Sequence, residues 1–586
     1  MTGNQNKVFV WNWLGRWFGF PDKFSAHLWI GLAVLILPLS FYLRFHFLSN
    51  PVIEPHPWRQ SQTALSIYYF FKSGISLDYR SPLSGKLWNY VHEFPLYQAV
   101  VASVMRTGLT LEIASRLVTL FFFFGGALLV FLLARDYLGK HAATWTALFY
   151  LASPFNVIFS RVCLIDFPTL FFMLLFVWLY LKITKNSVGS VWLLMLATLS
   201  GLIAGAMKVT VWYVPIGLLF LYTLVKLKQS PQQRGFLSLC LASLLFQLIV
   251  VASWVFWANK MRGCTGIVVQ TGWFFGGFAE RLNVWKWKEI GTYIFRNILH
   301  DWMVLPFLAG IFLAGERKGW IGAAVAIIVL PIMVMFNIHW KHDYYLIALV
   351  PYIIAIAGLG MSRLLEMSLR TKALWLGMMI ALFSYRFPKL SAVYGPIFHD
   401  YRTALNEPWA VRELSSEKDV IYMDGRDGRL EIPLYSQRLV ATFPEQTVNH
   451  LNPSLFKFDE GFERMELLAP YPTVWIVGDA SYYMYRTQPT GPFNFNIQKQ
   501  MGVSDLQIQA PAGRIAFGQS LRTRVCGQKT SKTYQLEQGA GLVGVYSISK
   551  ATWLIFPKRS YLYLPSHSEW GCDFEVSLIR DTRHAL

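Results

Sequence analysis

Long apolar runs alternate with short polar loops over residues 27–387 of the chain. A helix that crosses a membrane needs about 20 mostly apolar residues, and by that measure the pattern predicts about eleven such helices. The runs cover residues 27–48, 114–134, 142–160, 165–182, 190–207, 210–226, 236–257, 302–315, 319–337, 344–362 and 373–387. A shorter apolar stretch, 94–108, is predicted to lie on the membrane surface, because counting it as a span would invert every later loop. The predicted fold class is a polytopic α-helical membrane protein.

Basic residues predict the orientation of these helices. Lys and Arg gather in every second loop, at residues 135–140, 182–185, 226–234, 317–318 and 363–372. Loops rich in Lys and Arg stay on the cytoplasmic side of a membrane. The sequence therefore predicts a multi-pass protein of the plasma (inner) membrane with a cytoplasmic N-terminus. The large loop at 49–113 and the chain after residue 388 are then extracytoplasmic.

The pattern changes after residue 390, where charges, Pro, Gly, Asp and Asn return. KDVIYMDG and PTVWIVGD predict short strands that end in turns, and PLYSQRLVATF continues a strand–helix–strand pattern. GLVGVYSISK, ATWLIFP and SYLYLP predict strands of a second sheet region. We therefore expect a membrane domain, 1–388, and an extracytoplasmic α/β or α+β domain, 389–586. Cys526 and Cys572 lie in the second domain, either as a disulfide or as two unpaired thiols.

Composition narrows the class of protein. Of the 586 residues, 54% are hydrophobic and 15% are charged, whereas soluble domains carry about 25% charged residues. A chain of several soluble domains is therefore excluded. The formal net charge is +20, which would suggest a nucleic-acid partner in a soluble protein. In a membrane protein it indicates basic cytoplasmic loops and an anionic substrate, so no nucleic-acid partner is expected.

Polar residues gather in five segments on the predicted outer face. Ionisable groups at membrane depth are costly to bury and mark functional sites by default. The candidates are Glu54, His56, Arg59, Gln60 and Gln62 in EPHPWRQSQTA, Glu93 in WNYVHEFPLYQ, Arg161 and Asp166 in SRVCLID, Lys208 in GAMKVTV, and Lys341, His342, Asp343, Tyr344 and Tyr345 in WKHDYYL. Helix capping by the carboxylates, snorkelling by the lysine and aromatic-belt anchoring by the tyrosines are the structural alternatives.

Motifs for soluble cofactors are missing from the sequence. No Walker A, GxGxxG, HExxH or GxSxG motif occurs in a usable context. An energy-rich donor would therefore have to reach the outer face attached to something else, and a lipid-linked donor fits that requirement. Glu93, His342 and Asp343 are candidate ligands for a divalent metal ion, although the spacing around His342 matches no closed zinc pattern.

Residues 27–365 resemble the GT-C superfamily of integral-membrane glycosyltransferases. The more specific resemblance is to its protein-O-mannosyltransferase-like branch, which includes the lipid A aminoarabinose transferases. It rests on HPWRQSQTA, HEFPLY, SRLVTLFFFFGGALLVFLLARDYLG, ASPFNVIFSRVCLIDFP, SGLIAGAMK and KHDYYLIALVP, in that order. The resemblance implies an inverting transfer of a sugar from a polyprenyl phosphate to a hydroxyl of a glycan, lipid or protein outside the membrane.

The resemblance also implies catalytic carboxylates in the first two outer loops. Asp166 matches the second position, and Glu93 matches an acidic residue that precedes a proline two positions on. Related sequences commonly read RQ-x-D-T-A in the first loop, where this chain has Gln62, and a glutamine cannot act as a base. Asp166 is therefore the leading candidate for the catalytic base, followed by Glu93 and Glu54.

The leaving group of such a transfer is a phosphate, which cations stabilise. The candidates to hold it are Arg59, Lys208, Lys341 and His342, while Tyr344 and Tyr345 are expected to line the sugar or lipid cleft. The expected partners are the polyprenyl-phosphate-linked sugar, its acceptor and membrane lipids.

Two other functions remain open at this point. A lipid-linked oligosaccharide polymerase or ligase would use the same donor, but should carry its large loop between spans. A transporter or flippase should place its polar residues near the bilayer midplane.

Overall fold

The computed structural model describes most of the chain up to residue 405 and mainly the regular elements beyond it. The described residues are 23–77, 91, 93–186, 191–261, 274–386, 390–405, 408, 412, 420–424, 430–443, 474–477, 483–491, 494–502, 513–515, 519–524, 532–536, 541–547, 551–556, 561–564 and 573–580.

Helices dominate the described part before residue 405, which confirms a mostly helical fold. They are α1 (Lys23–Phe45), α2 (Pro57–Ser73), α3 (Leu96–Met105), α4 (Leu111–Leu138), α5 (Lys140–Ala152), α6 (Pro154–Phe159), α7 (Asp166–Asn186), α8 (Val191–Met207), α9 (Val209–Gln229), α10 (Arg234–Met261), α11 (Phe278–Arg281), α12 (Val284–Thr292), α13 (Val304–Phe312), α14 (Lys318–Val334), α15 (Phe336–Lys341), α16 (Val350–Glu366), α17 (Leu369–Arg386), α18 (Leu390–Phe398) and α19 (Glu431–Ser436). A π-helical turn spans Tyr293–Ile298, and 3₁₀ turns include Asp301–Met303, Asp343–Ala348 and Tyr401–Leu405.

Each predicted apolar run coincides with one or two of these helices. Among the described residues, six helical stretches are long and apolar enough to cross a membrane: Ala26–Phe45, Leu111–Leu138, Asp166–Lys185, Val209–Gln229, Pro231–Ala258 and Gly315–Val334. The larger count of about eleven spans stays a prediction. The run 142–160 is broken at Ser153 because Pro154 lacks an N–H and begins a new helix.

The stretch 94–108, which was predicted to lie on the membrane surface, forms the ten-residue helix α3. Ten residues rise only about 15 Å, half the thickness of the hydrocarbon layer, so this helix is too short to cross it. Tyr97 fastens it to α4, since its hydroxyl lies 2.9 Å from Thr119 Oγ1 and donates to the Ser115 carbonyl at 3.1 Å.

Contacts within the chain divide it into two compact units. The helical unit comprises Met1–Asn50, Glu93–Ala258 and Ile267–His399, and the mixed unit comprises Pro51–His92, Asn259–Gly266 and Asp400–Leu586. Residues 51–92, part of the predicted first outer loop, are thus grouped with the C-terminal region. The predicted division of the chain at residue 388 stays a prediction.

Close backbone contact between helices builds the core of the helical unit. A Cβ atom on Gly360 of α16 would collide with the Pro306 carbonyl of α13, and one on Gly358 would collide with Thr146 of α5. Small residues permit this kind of approach between membrane helices. The surrounding core includes fully buried Trp145, Phe149 and Ile353.

Buried arginines close the C-terminal end of α1. Arg161 donates to the carbonyls of Leu43 at 2.9 Å and Phe47 at 3.1 Å. Arg116 donates to the Leu48 carbonyl at 2.8 Å. The last carbonyls of a helix have no intrahelical partner, so Arg161 satisfies the Leu43 carbonyl in the last turn of α1. The carbonyls of Phe47 and Leu48 lie in the turn that follows the helix.

The described strands of the mixed unit form three sheets. The strands are β1 (Val420–Asp424), β2 (Leu439–Phe443), β3 (Val474–Val477), β4 (Tyr483–Gly491), β5 (Asn494–Gly502), β6 (Gly513–Ile515), β7 (Ser520–Arg524), β8 (Lys532–Leu536), β9 (Gly541–Ser547), β10 (Ala551–Phe556), β11 (Tyr561–Leu564) and β12 (Asp573–Arg580). Their orders are β2-β1-β3-β4-β5, β10-β9-β12-β7 and β11-β8-β6.

The first sheet has a parallel centre and an antiparallel edge. Val420 of β1 pairs with Leu439 of β2 and with Val474 of β3, both in parallel, whereas β4 and β5 follow antiparallel. Helix α19 lies between β1 and β2 in the chain, so the strand–helix–strand segment falls where the sequence predicts it. The assignment of 389–586 to an extracytoplasmic domain stays a prediction, and Cys526 and Cys572 lie outside the described residues.

Candidate active site

Asp166 and Lys208 form a buried ion pair in the helical unit. Asp166 is the first residue of α7, and Lys208 occupies the extended residue between α8 and α9. Lys208 Nζ donates to Asp166 Oδ1, and their side chains are 9% and 2% exposed. Asp166 Oδ2 is buried and has no hydrogen-bond partner among the described residues. A buried oxygen of this kind is costly unless something binds it.

Two stacked tyrosines lie beside the ammonium group of Lys208. Lys208 Nζ is 4.3 Å from the ring centroid of Tyr345 and 4.9 Å from that of Tyr344. The two rings stack with centroids 4.6 Å apart. Aromatic faces attract cations, and the attraction grows when water is excluded. The structure therefore brings together three of the predicted site residues, Lys208, Tyr344 and Tyr345, with Asp166.

Two histidines extend this cluster. The ring of His342 lies 5.5 Å from that of Tyr344, and the ring of His339 lies 6.3 Å from that of Tyr345. His339 follows the end of the α14 span, and its Nδ1 donates to the Met335 carbonyl at 2.8 Å. Burial, together with the charge of Lys208, lowers the pKa of His339 to about 4. A histidine held neutral in this way acts as a hydrogen-bonding group.

Lys341 and Asp343 flank the cluster without joining its centre. Lys341 is exposed, and its Nζ lies 5.6 Å from the ring centroid of Trp340. Burial, and the charges of Asp343 and Glu289, raise the pKa of Tyr293. This electrostatic coupling indicates that Tyr293 lies near Asp343. The predicted roles of Lys341 in phosphate binding and of Asp343 in substrate or metal binding stay predictions.

Glu93 lies next to the same corner of the helical unit. The N–H of Phe94 donates to the Ala206 carbonyl at 3.1 Å, two residues before Lys208. Glu93 is 6% exposed, and its Oε1 accepts from Gln98 Nε2 at 2.9 Å. Helix α3 begins at Leu96, so Glu93 precedes the helix that it was expected to begin.

Arg161, which lies five residues before Asp166 and is close enough in sequence to be its partner, binds backbone carbonyls of α1 and the turn after it. Its side chain is fully buried. The ion pair of Asp166 comes from Lys208 instead. Arg161 lies in the segment that leads to α7, so these hydrogen bonds fasten the start of that helix to α1. Its predicted contact with substrate stays a prediction.

The first-loop residues belong to the mixed unit. His56 precedes α2 in a left-handed conformation, with φ 60°, which is strained for a residue with a side chain. Gln60 Nε2 donates to the Pro55 carbonyl at 2.7 Å, and Arg59 Nη1 donates to Gln62 Oε1. Glu54, Arg59, Gln60 and Gln62 are all buried, and Gln62 Nε2 lacks a hydrogen-bond partner among the described residues.

An apolar slot continues from the Asp166 cluster along the same elements. Leu170 lies one turn after Asp166, Val211 three residues after Lys208, and Ala348 three residues after Tyr345. The lining residues are Leu170, Met173, Thr210, Val211, Val214, Pro215, Ile327, Pro331, Ala348, Leu349 and Tyr352. The slot encloses about 10 Å³, room for one water molecule at most, so its walls must separate to admit a chain.

Within the described ranges, no three His, Cys, Asp or Glu side chains gather closely enough to hold an ion. The metal-binding role of Glu93, His342 and Asp343 stays a prediction, and the cation that contacts Asp166 is the ammonium group of Lys208.

Gln98 and Tyr293 escaped the sequence analysis, whereas His339 belongs to the polar segment around His342. Gln98 and His339 are 1% and 3% exposed, and Gln98 Oε1 has no hydrogen-bond partner among the described residues. Gln98 follows Glu93 by five residues on an apolar helix, where a polar residue that is fully buried is unusual. That contrast is the signal that could have identified it.

Comparisons with known proteins show the fold. No protein-family model and no curated protein sequence matches the chain. ArnT from Cupriavidus metallidurans in the apo state is 14% identical with a TM-score of 0.50, covering 71% of this chain and 86% of ArnT. The match shows that this chain shares its fold with ArnT.

Two further solved structures are similar at lower scores. ArnT bound to undecaprenyl phosphate is 15% identical with a TM-score of 0.47, covering 71% of this chain and 85% of ArnT. The archaeal oligosaccharyltransferase AglB from Archaeoglobus fulgidus, in complex with an inhibitory peptide and a dolichol-phosphate, is 11% identical with a TM-score of 0.49. That alignment covers 78% of this chain and 70% of AglB.

Proposed function

We propose that this protein is an inverting glycosyltransferase that moves a sugar from a polyprenyl-phosphate donor to an acceptor hydroxyl outside the membrane. The acceptor is a glycan, a lipid or a protein. The proposal also includes the topology that this reaction requires, with a cytoplasmic N-terminus and the Asp166 cluster on the outer face of the plasma (inner) membrane. ArnT, which has the same fold, has been solved bound to undecaprenyl phosphate, and this supports the class of donor.

The observation that carries the proposal is the position of the apolar slot relative to the charged cluster. Lys208 pairs with Asp166 and lies beside the rings of Tyr344 and Tyr345, and the slot begins within four residues of them along the chain. A polyprenyl phosphate has a matching division into a charged head and an apolar chain. The ammonium group would hold the phosphate, and the parted walls of the slot would hold the first prenyl units.

Asp166 is the proposed general base. Lys208 binds Oδ1 and so fixes the orientation of the carboxylate, while Oδ2 has no hydrogen-bond partner in the described part of the chain. Oδ2 would accept the proton of the acceptor hydroxyl as its oxygen attacks the anomeric carbon. The bond from that carbon to the phosphate oxygen breaks, and its electron pair leaves with the polyprenyl phosphate.

Glu93 and Gln98 are proposed to bind the sugar. Gln98 donates to the Glu93 carboxylate, which leaves Gln98 Oε1 as a buried acceptor beside it. Sugar hydroxyls are donors that would satisfy this oxygen. His342 is proposed to complete this site, and the catalytic role of Glu54 and the substrate-binding roles of His56, Arg59, Gln60 and Gln62 stay predictions.

Lipid binding tests the proposal directly. Native mass spectrometry of the purified full chain should detect binding of undecaprenyl phosphate and much weaker binding of undecaprenol. Lys208→Met should weaken phosphate binding about tenfold or more, since a hydrogen bond to a charged group contributes roughly 1.5–3 kcal/mol.

The matched control is Lys182→Met. Lys182 also lies over an aromatic ring, at 4.7 Å from Trp178, but near the other end of α7. This variant should bind undecaprenyl phosphate normally. Equal binding of undecaprenol and undecaprenyl phosphate, or unchanged binding by Lys208→Met, would overturn the proposed donor site.

A further inference from the structure

Residues 275–285, between α10 and α13, present large apolar side chains outward, although no helix described in this stretch is long enough to span a membrane. Phe278, Leu282, Val284 and Trp285 are 77%, 68%, 77% and 71% exposed, and Phe275 is 41% exposed. We call these five residues the apolar shelf. Patches of this size on a short, non-spanning segment normally mark an interaction surface.

Arg281 fixes the shelf to the end of a membrane span. Its guanidinium donates to the carbonyls of Met333 at 2.9 Å and Val334 at 3.1 Å, the last residues of the Gly315–Val334 span. The same group donates to the carbonyls of Phe275, Gly276 and Gly277. The shelf is therefore held at the level where that span ends.

The opposite side of the segment is packed against α15. Trp287 Nε1 donates to the Arg281 carbonyl at 2.7 Å, and the Trp287 ring lies 5.1 Å from Phe336. Lys286 pairs with Glu280 at 3.4 Å and lies 4.4 Å from the ring centroid of Trp340. These contacts orient α12, so the apolar shelf points away from the protein.

We propose that the apolar shelf lies in the interfacial layer of the bilayer and contacts lipid. The end of a span is the depth at which hydrocarbon gives way to headgroups, and an aromatic residue with neighbouring lysines is typical of that layer. The exposed side chains Leu330, Met333 and Val334 of α14 already form a lipid-facing surface beside it. The apolar shelf extends this lipid-facing surface of α14 parallel to the membrane plane.

The order of apolar and charged residues along α12 sets how deeply the helix enters the bilayer. Val284 and Trp285 in its first turn are apolar, whereas Lys288 and Glu289, one turn later, are exposed and charged. Lys288 Nζ lies 4.6 Å from the ring centroid of Trp285. The first turn therefore enters the bilayer, and the second turn reaches the phosphates and water.

Fluorescence quenching in nanodiscs tests this depth. The environment-sensitive amino acid Anap is introduced singly at Phe278, Trp285 or Glu289 of the full chain. Probes at 278 and 285 should emit at shorter wavelength and be quenched by lipids that carry a nitroxide near the top of the acyl chain. The probe at 289 should respond about twofold more strongly to aqueous iodide than the probe at 285.

The position 289 probe is the matched control, because it lies on the same face as 285 one turn along α12. Anap at Val284 replaces the 285 probe if that variant elutes as aggregate. Iodide quenching at 285 as strong as at 289 would show solvent and overturn the proposal. If neither nitroxide lipid nor iodide quenches the probe at 285, other protein covers this position, and the proposal is overturned as well.

Discussion

Helix α7 has a cluster of an aspartate, a lysine and aromatic rings near each end. At its first residue, Asp166 pairs with Lys208 below Tyr344 and Tyr345, and its side chain is 2% exposed. Near its last turns, Asp136 accepts from Trp178, Lys182 lies over the same ring, and the Asp136 side chain is 30% exposed. The two clusters share residue types and differ in burial and in hydrogen-bond satisfaction.

The hydrogen bonds to each carboxylate, together with its burial, distinguish a structural cluster from a candidate site. Both carboxylate oxygens of Asp136 accept hydrogen bonds, Oδ1 from its neighbour Arg135 and Oδ2 from Trp178. Asp166 Oδ2 has none in the described part of the chain. A satisfied, half-exposed carboxylate anchors helices at an interface, whereas a buried one with an unused oxygen is suited to bind a ligand.

Replacing each aspartate should give the largest difference in the rate of sugar transfer between the two clusters. Asp166→Asn removes the proposed base and should lower the rate of sugar transfer by about 10²–10⁴-fold, the usual cost of losing a positioned base. Asp136→Asn should leave the rate within about threefold, since it touches no reacting group. The assay measures initial rates in membranes supplied with polyprenyl-phosphate-linked sugars, at matched expression. Normal transfer by Asp166→Asn would reject Asp166 as the base.

Replacing Lys208 should destabilise the protein more than replacing Lys182. Lys208→Met leaves the Asp166 carboxylate buried without its cation and should cost about 3–5 kcal/mol, because a broken buried pair strands a charge. Lys182→Met should cost about 1 kcal/mol or less, as expected for an exposed cation. Thermal unfolding in nanodiscs measures both. Equal shifts in Tm would mean that burial does not distinguish the two clusters.

The strength of each cation–π contact reports how completely water is excluded from its cluster. A double-mutant cycle between Lys208→Met and Tyr345→Leu should give a coupling free energy of about 2 kcal/mol, the value for a desolvated cation–π pair. The cycle between Lys182→Met and Trp178→Leu should give about 0.5 kcal/mol. Coupling of the same size in both cycles contradicts the difference in burial between the two clusters.

The smallest expected effect depends on pH. Burial lowers the pKa of His339 from its usual 6.5 to about 4, so below about pH 6.5 the unfolded chain binds a proton that the folded chain does not. Stability is therefore complete above pH 6.5 and falls with acidification, by about 1 kcal/mol between pH 7 and pH 5.5. His339→Gln should remove this part of the pH dependence of Tm. An unchanged profile in His339→Gln would assign the dependence to other groups.

Much of the fold is predictable because its signals are local. The apolar runs predicted the helices, and the shortness of 94–108 distinguished α3 from a span, since helix length follows directly from residue count. Segments KDVIYMDG and PTVWIVGD coincide with β1 and β3. The polar cluster 341–345 was visible because charges are rare beside membrane helices.

The sequence determined which residues are candidates, and the tertiary structure decided which of them meet. Arg161 is five residues from Asp166 and looked like its partner, yet Lys208, 42 residues away, supplies the ion pair. Arg161 instead donates to the carbonyls of Leu43, in the last turn of α1, and of Phe47, in the turn after it. Periodicity along one chain encodes helix and burial, but a side-chain pair across three helices depends on how their backbones pack. That packing is set by close contacts such as those at Gly358 and Gly360.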